Sequence, residues 1–306
     1  MALPILLSSS SDIELRLKAA HFAYLNNLIN IDSLAALYQT VDFTYDELNN
    51  PEEILSNTDN NIEIVMSYFY QLINIQLLPT SRLDAIIQFW NFAEKNSLEL
   101  IAFELSIKSL ATIEPTQNLS EFGSKIAKAY TYHGDFVNAE KWIIFSENSL
   151  KDASLIYELN TSKLLFNLFK AKKSDDFIDI LFDNLKSMNS GLLDEQNPNH
   201  QYKNETLHII FSTLNEGLDN PFNIDKEINE NRLMPSLFII NEINSCIENK
   251  NYPKLLLSII ASLNSNKWNQ IHPEHLRLIL LGMKEYKQGA MLNDIILEVL
   301  KYSKII

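Results

Sequence analysis

The sequence predicts an all-α protein, an α-α superhelix built of antiparallel helix pairs, and three observations carry that reading. Glycine and proline are scarce, at 6 and 9 of 306 residues, whereas a β-protein of this length needs many tight turns that favour glycine, asparagine or aspartate at positive φ. Asparagine is abundant and can fill some of those turns. Yet apolar residues recur at helical spacing through most of the chain, the period of a helix with one buried face. Most of the stretches between these runs are short, and short connections force successive helices antiparallel. Hydrophobic residues make up 46% and charged residues 21%, enough apolar surface for a continuous core.

Taken in order, Asp12 opens the first clear helix, whose Leu15, Leu17, Ala19, Ala20, Phe22, Leu25 and Leu28 form a broad apolar side. Asp32 is expected to N-cap a short helix carrying Leu34, Leu37 and Val41. Thr44, with Glu47 three residues on, is a capping-box pair, and Pro51 opens a further turn reaching Ser56. Residues 60–77 are apolar nearly all round and belong in the core. Pro79 is expected to end that helix and Thr80 or Ser81 to cap the next, residues 82–95, which carries Trp90 and Phe92. Lys95-Asn96-Ser97 turns the chain into 98–111, and Pro115 breaks it again.

Residues 120–132 and 135–148 pair through His133-Gly134-Asp135, and helices at 151–171 and 174–188 follow. Residues 189–201 are the most turn-rich stretch and the best boundary. The expected organisation is an N-terminal helical array, 1–188, a linker, 189–201, and a C-terminal array, 202–306. In the second array helices are expected at 203–216, 233–248, 253–263 and 273–287, with a last one ending near Tyr302 and a second loop at 217–225. Pro253 and Pro273 sit in first turns, where the missing N–H is harmless. The total is about fourteen helices, and paired helices that cannot bury their apolar faces alone stack into a superhelix.

Charge narrows the function classes. The net charge is −14, which opposes nucleic-acid binding, since that needs a basic face to displace counterions. Residues 1–100 hold 13 acids and 4 bases, and no Lys or Arg lies between Lys18 and Arg82. Asp42, Asp46, Glu47, Glu52, Glu53, Asp59 and Glu63 crowd that interval. A solvated face explains it most simply; docking of a basic partner is the functional alternative. The longest apolar stretch, 62–78, is interrupted by Glu63, Ser67, Gln71, Asn74 and Gln76, so no transmembrane segment is expected. The N-terminus lacks a basic region before its short apolar run, unlike a signal peptide. The compartment stays open between cytoplasm and, with an export signal removed, periplasm.

Catalytic and cofactor motifs are missing. No phosphate-binding glycine loop, dinucleotide fingerprint or nucleophile elbow occurs, so neither a small molecule nor a cofactor is implied. Cys246, the single cysteine, excludes an intrachain disulfide and a multi-thiolate metal site, and reads as a buried inert thiol. His272 and His275, in Ile-His-Pro-Glu-His, have helical ligand spacing. Pro273 nevertheless puts His272 at a cap, and no third ligand is evident, so both read as polar residues of a helix start. Adjacent carboxylates such as Glu52-Glu53 and Asp175-Asp176 point about 100° apart on a helix and do not share a site. Trp90, Trp142 and Trp268 lie in apolar patterns and read as core.

One hairpin is more specific. Residues 126–139 read Ile-Ala-Lys-Ala-Tyr-Thr-Tyr-His-Gly-Asp-Phe-Val-Asn-Ala, with small Ala127 and Ala139, large Tyr130 and the Gly134-Asp135-Phe136 turn. This resembles a tetratricopeptide repeat; Gly123 stands where the repeat has its tryptophan-like position. A looser likeness, Leu34-Ala35-Ala36-Leu37-Tyr38 through Val41, Phe43, Glu47-Leu48 and Pro51, is similar to a family of uncharacterised alphaproteobacterial helical-repeat proteins. The first resemblance implies a groove lined by the inner helix, on which Glu121, Ser124, Lys128, Thr131 and Tyr132 would meet a protein or peptide partner. Ser124 and Lys128 depart from the lysine and asparagine of a carboxylate clamp, so capture of a peptide C-terminus is not implied. The expectation is a non-catalytic scaffold or adaptor for another polypeptide. The alternatives are a helical enzyme whose site assembles only in three dimensions, or an exported effector-like protein.

Overall fold

The computed structural model describes residues 12–56, 61–188, 200–214, 232, 234–286 and 289–306. Among these the chain is helical. The elements are α1 Ile13–Leu25, α2 Ile31–Tyr38, α3 Tyr45–Asn49, α4 Pro51–Ser56, α5 Ile62–Ile75, α6 Pro79–Lys95, α7 Glu99–Leu110 and a 3-10 turn Gln117–Phe122. Then come α8 Gly123–His133, α9 Phe136–Ser149, α10 Ala153–Ala171, α11 Phe177–Met188, α12 His200–Leu214, α13 Leu237–Glu248 and α14 Tyr252–Leu263. A 3-10 turn Trp268–Gln270, α15 Pro273–Glu285 and α16 Gly289–Tyr302 complete the order. The chain divides into two compact units, Met1–Ser120 with Ala129–Ala139, and Glu121–Lys128 with Glu140–Ile306. The linker expected at 189–201 lies outside the described residues, except that 200–201 already belong to α12. The loop expected at 217–225 lies outside them as well.

Helix starts follow side-chain chemistry, with two corrections. The capping box is present: Thr44 N–H donates to Glu47 Oε2 at 2.7 Å, and Glu47 N–H donates to Thr44 Oγ1 at 3.2 Å. Asn30, not Asp32, caps α2; it is extended, and its Oδ1 accepts Ser33 N–H at 2.9 Å. Asp32 lies inside the first turn and pairs instead with Lys108 of α7 at 2.7 Å. Pro79 begins α6 at its first turn rather than ending α5, and Thr80 and Ser81 lie within that helix. Arg82 then reaches back, donating from Nε and Nη2 to Gln76 O at 3.1 and 2.7 Å, and so satisfies a carbonyl just beyond the end of α5.

Five of the described helix ends share one device. Asn27, Ser97, Gly134, Lys250 and Lys304 all have positive φ, between 52° and 82°. Around each, the N–H of that residue and of the next bond back to the preceding turn, as in Gly134 N–H to Thr131 O and Asp135 N–H to Tyr130 O. Ser97, Lys250, Asn27 and Lys304 repeat the pattern with Glu94 and Ala93, Ile247 and Cys246, Tyr24 and Ala23, and Lys301 and Leu300. This is the Schellman closure, which consumes orphan carbonyls at a helix end. In three hairpins, α6–α7, α8–α9 and α13–α14, the left-handed residue is followed at once by the residue flanking the next helix: Leu98, Asp135 and Asn251. Only one of these turns uses glycine, which explains how so few glycines serve so many connections.

In the first unit α5 is the central helix, packed against α1, α2, α3, α4, α6 and α7. Its Met66, Tyr68, Phe69 and Ile73 are at most 1% exposed, and Phe69 meets the rings of Phe89 and Phe92 of α6 with centroids 5.8 and 5.7 Å away. Of the core expected over 60–77, Val65 to Ile73 are buried or half-buried, whereas Ile62 and Ile75 at the helix ends are 40% and 41% exposed and Leu77, just beyond it, is 89% exposed. Gln71 Nε2 donates to Tyr38 O and Val41 O, each at 2.8 Å, and binds the end of α2 to α5.

In the second unit α10 pairs with α11, α13 with α14, and α12 packs on α15 and α16. Phe182 and Phe211 meet at 4.5 Å between centroids. Gly289 is the first residue of α16. Asn293 Nδ2 donates to Lys172 O at 3.0 Å, and Lys172 Nζ pairs with Asp294 at 2.7 Å, so α16 closes the C-terminal end of α10.

Candidate functional site

The helix α8, on which the sequence places a binding face, is held by small residues. Gly123 is buried, and a Cβ there would lie 1.9 Å from Ser146 Oγ of α9. The glycine at the tryptophan-like position thus leaves the space that the Ser146 side chain fills. Ser124 is 2% exposed; its Oγ donates to Glu158 Oε2 at 3.4 Å, and its carbonyl accepts Ser162 Oγ–H at 3.0 Å. Asp135 caps α9, its carboxylate accepting Asn138 N–H at 3.1 Å and Asn138 Nδ2 at 2.6 Å.

The five expected contact residues therefore separate by burial. Glu121 is exposed, and Lys128 and Tyr132 are half-buried. Ser124 and Thr131 are interior, with Thr131 fully enclosed. Tyr132 stacks on Phe103 of α7 at 5.8 Å and 22°. Its hydroxyl is pushed well above the ordinary tyrosine range by burial first and Glu99 second. Tyr130 is raised to about 12, by burial, then Asp135 and Glu114. His133 Nδ1 meets Glu104 Oε2 at 2.9 Å.

No protein-family model, curated protein or solved structure matches the chain.

The titratable groups singled out from sequence take up structural posts. His272 caps α15, its Nδ1 accepting Glu274 N–H at 3.1 Å. His275, expected as a polar residue of a helix start, is 1% exposed and bonded through Nε2 to Ser262 Oγ at 2.8 Å. That hydroxyl gives its own proton to Ile259 O at 2.6 Å, so Nε2 must carry the hydrogen and Nδ1 is the lone pair. Nδ1 has no partner among the described residues. Protonating it would bury an N–H with nothing to accept it, and burial, then His272, lowers this group to about 4. Among the described residues no three His, Cys, Asp or Glu side chains cluster as metal ligands. Cys246 is 2% exposed.

Trp90 and Trp142 are buried, at 3% and 1%, and Trp90 Nε1–H donates to Ser106 Oγ at 2.9 Å. Trp268 departs from the core expectation. It is half-buried on the 3-10 turn, and its Nε1–H donates to Glu298 Oε2 of α16 at 2.7 Å. It forms part of a hollow of about 610 Å³ lined by Ile260, Leu263, Asn264, Lys267, Glu298 and Tyr302 among others. Asn264 and Ser265 both stand at positive φ, 44° and 62°, without being glycine. The polar run Asn264-Ser265-Asn266-Lys267 directly before the tryptophan is the sequence signal for this site: it ends the apolar pattern before Trp268.

Proposed function

We propose that this protein is a helical-repeat scaffold that binds another polypeptide. The observation that carries the reading is the shared turn: three hairpins close with a left-handed residue followed at once by the residue flanking the next helix, at Ser97-Leu98, Gly134-Asp135 and Lys250-Asn251. One recurrent hairpin geometry is what a stacked array of helix pairs requires. The Gly134 hairpin is the one whose sequence resembles a tetratricopeptide repeat, in which the inner helix meets the partner. Of that face, Glu121 on the preceding 3-10 turn is exposed, and Lys128 and Tyr132 on α8 are half-buried. The net charge of −14 favours a partner with a basic surface.

Crosslinking and affinity recovery of the intact chain from its own cells tests the reading, with Glu121→Lys and Lys128→Glu as variants. Glu121 is exposed and Lys128 half-buried, so helicity and unfolding midpoint are measured on both variants before recovery is compared. The expected outcome is one reproducible polypeptide partner whose recovery falls about fivefold or more in each variant. A partner retained equally by both variants removes α8 as the contact face, and an empty recovery from crosslinked cells overturns the scaffold reading.

A further inference from the structure

The hollow beside Trp268 has a composition of its own, and it stands independently of the scaffold reading. Its wall is laid down by the end of α14, where Asn264 and Ser265 adopt left-handed backbone in succession. Non-glycine residues in that region are strained, and such strain persists where surrounding structure holds it in place. The strained turn delivers Trp268, whose indole N–H is tied to Glu298. The hydrogen bond engages the N–H edge of the ring. Tyr302, one turn beyond Glu298 on α16, is 41% exposed and lines the same hollow. Ile260 and Leu263 supply its apolar side.

We propose that this hollow binds an organic cation, an alkylammonium or alkylguanidinium group carried on an apolar stem. Aromatic rings carry negative charge on their faces and attract cations that are not strongly hydrated. The Glu298 carboxylate adds a full negative charge at the rim, and the acidic molecule as a whole draws cations toward it. Lys267 opposes this, but it is exposed and its long stem lets the ammonium stay in solvent. Ile260 and Leu263 match a stem of methylene or methyl groups. The chemistry is common to a lysine or arginine side chain of a polypeptide and to a small free amine.

Trp268 provides the readout, since Trp90 and Trp142 are enclosed. The intact chain is titrated with choline, with N-methylguanidinium, and with a short peptide holding one arginine between leucines, following tryptophan emission. The neutral 3,3-dimethylbutanol serves as the uncharged match for choline. Saturable change is expected with at least one cation and not with the neutral compound. Response to the peptide alone assigns the natural source to a polypeptide; response to the small cations assigns it to free amines. Glu298→Gln keeps an acceptor for the indole N–H and removes the charge, and it is expected to weaken binding about fivefold or more. No saturable response to any cation, equal response to the neutral compound, or full affinity in the Glu298→Gln chain with its unfolding midpoint unchanged overturns the proposal.

Discussion

Left-handed residues at helix ends show how this chain manages with few glycines. At Ser97 and Lys250 the backbone adopts φ of 58° and 52°, a conformation that costs an L-residue about 1–2 kcal/mol. Part of that cost is recovered because a side chain restricts the unfolded chain more than glycine does. Ser97→Gly and Lys250→Gly are therefore each expected to raise stability by about 0.5–1 kcal/mol, read as a shift of the denaturation midpoint. Gly134→Ala, at φ 82° with open space around it, is expected to lose about 1 kcal/mol through backbone strain alone. Gly123 is the opposite case. Its φ is unremarkable, and the constraint is the neighbour: Gly123→Ala is expected to cost about 1–3 kcal/mol. Adding Ser146→Ala removes the clashing oxygen and is expected to recover part of that loss, so unfolding of the four chains gives the coupling directly.

Among the elements, α5 holds the first unit together, because every other helix described there from α1 to α7 packs on it. Phe69 sits at its waist between Phe89 and Phe92. Phe69→Ala is expected to destabilise the protein by about 3–5 kcal/mol, measured by chemical denaturation; a loss under 1 kcal/mol would show that the helices close over the gap. The helical reading of α5 was legible because its residues are apolar on nearly every side. Its ends were not. Whether Pro79 stops one helix or starts the next depends on which carbonyl lacks a partner, and Arg82 settles that from six residues away in sequence. The N-cap of α2 was misplaced by two residues for a similar reason. Asn30 and Asp32 are both good caps by chemistry, and it is Asn30 that takes the extended cap conformation, with Asp32 inside the first turn and paired with Lys108 of α7.

For the molecule as a whole, acid is the predicted weakness. His21 hydrogen-bonds to the Tyr38 hydroxyl in the first unit, and burial lowers it to about 4; His275 does the same in the second. The ordinary value is about 6.5, so the unfolded chain takes up these protons first. Each histidine's contribution is complete above pH 6.5 and is lost as pH falls toward 4, on the order of 3 kcal/mol apiece. Unfolding midpoints measured from pH 7.5 to 4.5 are expected to fall steadily through that window. A constant midpoint over the same range would mean that both imidazoles reach solvent before the fold is lost.

By itself the sequence determined that the chain is helical, that most connections among the described residues are short, that Thr44 and Glu47 form a capping box, and that no helix among the described residues is long and apolar enough to cross a membrane. These features rest on local chemistry: a period of 3.6 residues, a proline without an N–H, a hydroxyl three residues from a carboxylate. Tertiary structure alone decided which polar residues face inward. Ser124 and Thr131 share α8 with Lys128, and only the neighbours packed on that helix bury the first two and leave the third half-buried. It also decided that Trp268 lines a hollow, since the carboxylate that orients it comes from Glu298, thirty residues on. A helix displays its side chains all around, and sequence spacing cannot say from which side the next helix arrives.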